Sequence, residues 1–118
     1  MKTIELLPGE LRLGAWTLNY LPPAGGRYTG PLVVTDRRLL FRARFDASPG
    51  RALRGLAPFR DTHGLVAIPR ERVRRVEKRG RFPRRQLAVI LDNGETHLFD
   101  RGLLGVDRLA AAVGAGAA

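Results

Sequence analysis

The chain has no cysteine, one serine and two lysines among its 118 residues. Each scarcity removes a class of chemistry. Without cysteine there is no disulfide, no thiolate zinc site and no cysteine nucleophile. The serine, Ser48, lies in Ala-Ser-Pro and lacks the Gly-x-Ser-x-Gly elbow of a serine hydrolase. No Gly-Lys-Ser/Thr phosphate loop occurs. The two histidines, His63 and His97, fall short of the three or four ligands that zinc requires. Asp61-Thr62-His63 offers two ligands, and His97 has only Glu95 nearby on its strand face. Asp92 and Glu95 flank a turn and make no convincing acid–base pair. The expectation is a protein that is not an enzyme and needs neither cofactor nor metal. No run approaches the roughly 20 apolar residues of a membrane span. The best candidate, Leu109 to Ala118, is half that length and rich in Gly and Ala. Lys2 is followed by Glu5 with no long apolar run, so no signal peptide is read. A soluble, cytoplasmic protein is expected, touching a membrane only peripherally.

Basic charge is abundant. Lys+Arg total 21 against 11 for Asp+Glu, a net charge of +10, and all but Lys2 and Lys78 of the basic residues are arginine. Abundant Ala, Gly and Arg fit a GC-rich genome, and codon bias would spread arginine evenly. The distribution is uneven. Residues 1–50 carry seven basic and four acidic groups, residues 51–85 twelve and three, and residues 86–118 two and four, for nets of +3, +9 and −2. A field concentrated in this way attracts polyanions, either anionic lipid headgroups or nucleic acid. The alternative is a solvated basic face with no specific partner.

Hydrophobic residues make up 44% of the chain, enough for one core, and the length fits a single domain spanning 1–118. After the Pro8-Gly9 turn, alternation from Leu11 to Leu18 marks a strand that ends before Pro22-Pro23. Thr29 to Thr35 is a second strand, and Asp36-Arg37 a tight turn. Arg38 to Phe45 alternates clearly, with Leu39, Phe41, Ala43 and Phe45 on one face and Leu40, Arg42 and Arg44 on the other. A long polar loop is read over 46–64. Further strands are Leu65–Ile68, Val73–Lys78, Gln86–Leu91 and Glu95–Phe99, the last two joined at Asp92-Asn93-Gly94. Leu103, Val106, Leu109 and Val113 then recur at helical spacing. The expected fold is mainly β: about seven antiparallel strands and one C-terminal α-helix. Closure into a small barrel would remove exposed edges and give the helix an open end to cover.

Several strings carry a resemblance: Leu7-Pro8-Gly9-Glu10, then Gly30-Pro31-Leu32-Val33-Val34-Thr35-Asp36-Arg37-Arg38-Leu39-Leu40-Phe41, Ile68-Pro69 with Val73 and Val76, Leu91-Asp92-Asn93-Gly94-Glu95, and Phe99 before the helix. In element order and in these strings, residues 5–113 resemble bacterial GRAM domains and their relatives, the bacterial pleckstrin-homology-like domains. The resemblance implies a pleckstrin-homology-like barrel of two orthogonal sheets capped by the helix. It also implies a module that binds lipid or protein and catalyses nothing. Thr35 and Asp36 would shape the turn, and Leu39 and Phe41 would fill the core. Two features depart from the family. The 46–64 loop is longer, and the 70–85 segment is more basic. The first hairpin, where related domains gather basic residues around inositol phosphates, offers only Arg27.

The principal candidate site is therefore the basic segment. Arg70, Arg72, Arg74, Arg75, Lys78, Arg79, Arg81, Arg84 and Arg85 meet only Glu71 and Glu77, nine positive charges against two. Guanidinium binds phosphate through two points at once. Phe82, among the charges at the hairpin tip, suits base stacking or insertion at a headgroup interface, or else folds onto the barrel. In the long loop, Leu53, Leu56 and Phe59 alternate with Arg51, Arg54 and Arg60 as on an amphipathic turn. A loop packed over one barrel end, or a mobile one, is the other reading. The leading expectation is a non-catalytic module that docks a basic face on acidic membrane lipid. The alternatives are nucleic-acid binding by the same arginines, or a protein-interaction or homo-oligomerisation module using a sheet edge.

Overall fold

The computed structural model describes residues 4, 6–23, 25–46, 65–81, 85–102 and 104–114. The strands are β1 (Arg12–Leu21), β2 (Tyr28–Thr35), β3 (Arg38–Arg42), β4 (Phe45–Asp46), β5 (Leu65–Pro69), β6 (Val73–Arg79), β7 (Gln86–Leu91) and β8 (Thr96–Asp100), followed by helix α1 (Asp107–Gly114). A 3-10 turn, Arg70–Arg72, joins β5 to β6. The pairings are antiparallel, and the main path runs β5-β3-β2-β1-β8-β7-β6, with short β4 beside β2. The mainly β chain with a C-terminal helix is therefore as expected. Among the described residues no ladder joins β5 to β6, so the sheet is not closed into a barrel.

Strand β1 holds the two halves together. It pairs with β2 from Arg12 to Tyr20, and its last residues also pair with β8, Tyr20 opposite Phe99 and Leu21 opposite Leu98. One apolar cluster draws on both halves and the helix, including Tyr20, Leu32, Phe41, Ile68, Val89, Phe99 and Leu109. At its centre the Tyr20 ring lies 5.0 Å from Phe41 and 5.1 Å from Phe99. These rings bury large apolar area, the main favourable term in folding.

Local differences from the sequence reading have physical causes. The expected strand Arg38–Phe45 is broken at Ala43-Arg44, where Arg44 N–H donates to the Thr29 carbonyl at 2.8 Å. There the chain crosses Gly30 so closely that a Cβ would lie 2.1 Å from the Arg42 carbonyl oxygen. Leu40, expected on the charged outer face, is fully buried. Strand β3 is interior, between β2 and β5, and Leu40 sits opposite both Val33 and Ala67. The helix starts at Asp107, later than the Leu103 of the apolar pattern. Gly102 at φ +64 turns the chain first, and Leu104 is exposed. Leu103 and the loop readings at 47–64, with their apolar and basic triads and His63, lie outside the described residues.

Strand β6 contains the irregularity that matters most for the charged segment. Val73 pairs with Leu91 and Arg75 with Ile90, which leaves Arg74 as an extra residue in a bulge. The bulge resolves a conflict of period. Val73 and Val76, three apart, both pack against the core, whereas strict alternation would send them to opposite faces.

Candidate functional site: a basic edge strand

Beyond the bulge, β6 places Arg75, Glu77 and Arg79 opposite Ile90, Ala88 and Gln86 of β7. Directly paired residues share a face. Val76 packs inward, so the Arg75, Glu77 and Arg79 row faces outward. Glu77 bridges its neighbours: Oε1 lies 3.1 Å from Arg75 Nε, and Oε2 accepts from Arg79 Nη2 at 3.1 Å and Nε at 3.3 Å. The Arg75 and Arg79 side chains are nevertheless 64% and 46% exposed, enough to meet a second anion. Arg74, Arg75 and Arg79 line an open groove of about 410 Å³ with Ile90, Leu91, Gly94 and Thr96. Past the strand, Arg81 and Arg85 are exposed on the β6–β7 connection.

The other basic residues of the segment are engaged elsewhere. Arg70 does not belong to the outer face. It is only 7% exposed, and its Nε donates to the Thr35 carbonyl at 2.6 Å. Its two Nη groups donate to the Ala112 and Val113 carbonyls at the end of α1. Burial pushes its pKa down. A helix leaves its last carbonyls without intrahelical partners, so a buried arginine caps them from outside. Arg72 Nε donates to Asp92 at 2.8 Å. Lys78 Nζ donates to Asp107 at 2.7 Å and holds that carboxyl below its ordinary pKa. Arg84 and Phe82 lie outside the described residues. Sequence reading missed the groove's far wall on β7 and β8. The Asn93-Gly94 hairpin brings Thr96 opposite Ile90, and only the pairing of β6 with β7 sets that hairpin beside the arginines.

Two further polar constellations are internal. Glu10 is buried against Arg38, whose Nη2 and Nε donate to its two oxygens at 2.6 and 2.9 Å. The Thr35 hydroxyl and Leu7 N–H also donate to it, at 2.6 and 2.8 Å. This network ties the Pro-Gly-Glu turn to the β2–β3 turn. His97 is buried with Nδ1 2.5 Å from the Tyr20 hydroxyl and Nε2 3.5 Å from Glu95 Oε1. Burial raises the Tyr20 pKa and lowers that of His97, so at neutral pH a protonated phenol shares this hydrogen bond with a neutral imidazole. Among the described residues no three His, Asp or Glu side chains gather as metal ligands, and no helix is long and apolar enough to cross a membrane. Leu11 and Leu13, at the start of β1, are exposed.

No protein-family model and no curated protein sequence matches the chain. Among solved structures it is similar to the C-terminal domain of an unknown protein from Leishmania infantum, at 14% identity and a TM-score of 0.66. The likeness covers 92% of this chain and 85% of that one, and it extends to the fold alone.

Proposed function

We propose that the chain is a pleckstrin-homology-like domain of GRAM type, a non-catalytic module of the cytoplasm that docks its basic face peripherally on acidic membrane lipid. The strand order, the C-terminal helix and the shared core of the two sheet halves support the fold identity, as an open barrel whose edges are β5 and β6. One observation carries the function. Arg74, Arg75, Arg79, Arg81 and Arg85 are exposed together along one sheet edge and its hairpin. An acidic bilayer attracts such a cluster by about 1 kcal/mol per basic residue near the surface. Nucleic acid is the rival polyanion. The exposed Leu11 and Leu13 favour a second reading, protein interaction at β1, which requires no basic patch.

Vesicles of neutral and of acidic lipid, and single-stranded DNA, measured across a salt series, separate these readings. The expected result is binding to acidic vesicles that weakens with salt. It should weaken by about 1 kcal/mol for each surface-proximal residue lost when Arg79, Arg81, Arg84 and Arg85 become Ser. Phe82→Ser weakens it further if the ring inserts. Tighter binding to DNA, with a salt slope shallower by roughly 0.7–0.9 per lost phosphate contact, would assign the arginines to nucleic acid. Equal binding by parent and variant would leave the segment as a solvated face.

A further inference from the structure

Arg75 and Arg79 converge on one anion, and in the structure that anion belongs to the protein. Their Cα atoms are four residues apart on an extended strand, about 13 Å, yet both guanidiniums reach the carboxylate of Glu77, each holding a different oxygen. The bulge brings a third arginine, Arg74, to the same groove. Ile90, on the same face as Arg75, and Thr96 line it from β7 and β8. Paired through Ile90, Thr96 lies two strand spacings from Arg75, about 10 Å away. The phosphodiester of a phospholipid carries one negative charge over two unesterified oxygens, as the Glu77 carboxylate does, and guanidinium recognises such a pair of oxygens bidentately.

We propose that this groove receives the phosphate of an anionic phospholipid headgroup, and that Glu77 is its built-in competitor, releasing Arg75 and Arg79 when the phosphate arrives. The proposal rests on the membrane-docking reading and adds to it a specific locus and a residue that lowers affinity. Charge complementarity selects the occupant: three arginines against one carboxylate leave the groove positive. Glu77 sets a threshold. An isolated weak anion exchanges poorly with a carboxylate already in place, whereas a dense acidic bilayer displaces it.

Glu71 supplies the control. It carries the same charge in the same segment, but it is exposed on the 3-10 turn and forms no ion pair with these arginines. Glu77→Gln and Glu71→Gln raise the net charge equally, so a diffuse field would treat them alike. Each variant and the parent would be titrated with inorganic phosphate, following the arginine Nε–Hε resonances. Each would also be titrated with vesicles of phosphatidylglycerol in phosphatidylcholine. The expected result is that Arg75 and Arg79 shift first with phosphate. Glu77→Gln should bind both probes roughly 2- to 10-fold more tightly, the scale of one or two exposed ion pairs, and Glu71→Gln less than twofold. Equal tightening by the two variants, or phosphate shifts spread evenly over all arginines, would overturn the proposal while leaving vesicle docking intact. Phosphate binding at Arg75 and Arg79 with no vesicle binding by any variant would overturn both the lipid identity and the docking reading.

Discussion

The Glu10 carboxylate accepts from Arg38, Thr35 and Leu7, and its side chain has no solvent exposure. Those bonds hold its pKa at about 2, below the ordinary 4.5, with the Arg38 hydrogen bonds the largest cause and burial opposing them. The folded state therefore binds the proton less readily than the unfolded chain. Its stabilisation is complete above about pH 4.5 and is lost as pH falls toward 2. A shift of that size corresponds to roughly 3 kcal/mol. Urea midpoints between pH 7 and 2.5 should fall steeply below pH 4.5 in the parent. Glu10→Gln should begin lower by about 2–4 kcal/mol, because it leaves the half-buried Arg38 without its charged partner, and should lose most of that slope. A variant as stable as the parent would mean that the network contributes nothing. The Pro-Gly turn before Glu10 is legible in sequence, since Gly9 at φ +79 needs a residue without a Cβ. The burial of Glu10 is not, because its main partner is 28 residues away.

At the scale of elements, α1 has eight residues, too few to hold a helix by itself. Its apolar stripe, Leu109 and Val113, buries against the core, and two side chains anchor its ends. Lys78 reaches Asp107 in the first turn, and Arg70 caps the last. Arg70→Met keeps much of the volume and removes the donors. It should destabilise by roughly 2–4 kcal/mol by leaving buried carbonyls unpaired, and amide exchange in α1 should accelerate more than in β7. Uniform acceleration, or none, would refute the capping role. Nothing local marks Arg70 as different from its neighbours. Nine basic residues in one run read as one surface, and only the fold, which brings Ala112 and Val113 to it across more than forty residues, separates it from them. The bulge, in contrast, was implicit in the spacing of Val73 and Val76, which no regular strand accommodates. Alternation located β3 correctly, but it could not reveal that neighbours on both sides would bury Leu40.

For the molecule as a whole, the lopsided charge of the sequence is partly repaired in space. The acidic last third folds beside the basic middle third, where Asp92 meets Arg72 and Asp107 meets Lys78. Among the described residues of the basic third, the remainder outside such pairs gathers at the β6 groove and at Arg81 and Arg85. Its self-repulsion should make the parent more stable in 0.2 M salt than at low ionic strength, by a few tenths to about 1 kcal/mol. That gain should shrink in the variant with Arg79, Arg81, Arg84 and Arg85 changed to Ser, as read from urea midpoints. A salt response identical in the two proteins would place the repulsion elsewhere. Composition already gave the sign of this field, and the strand order gave its location. The position of β1 has a consequence for synthesis. Pairing Tyr20 with Phe99 closes a loop of 79 residues, and a nascent chain cannot make that pairing until β8 has emerged. Until then β1 has a neighbour only on the β2 side, and Tyr20, the hub of the aromatic cluster, lacks Phe99. The domain must therefore finish folding after most of it has been translated, so a pause or truncation before residue 96 would leave an apolar half-sheet exposed to chaperones and proteases.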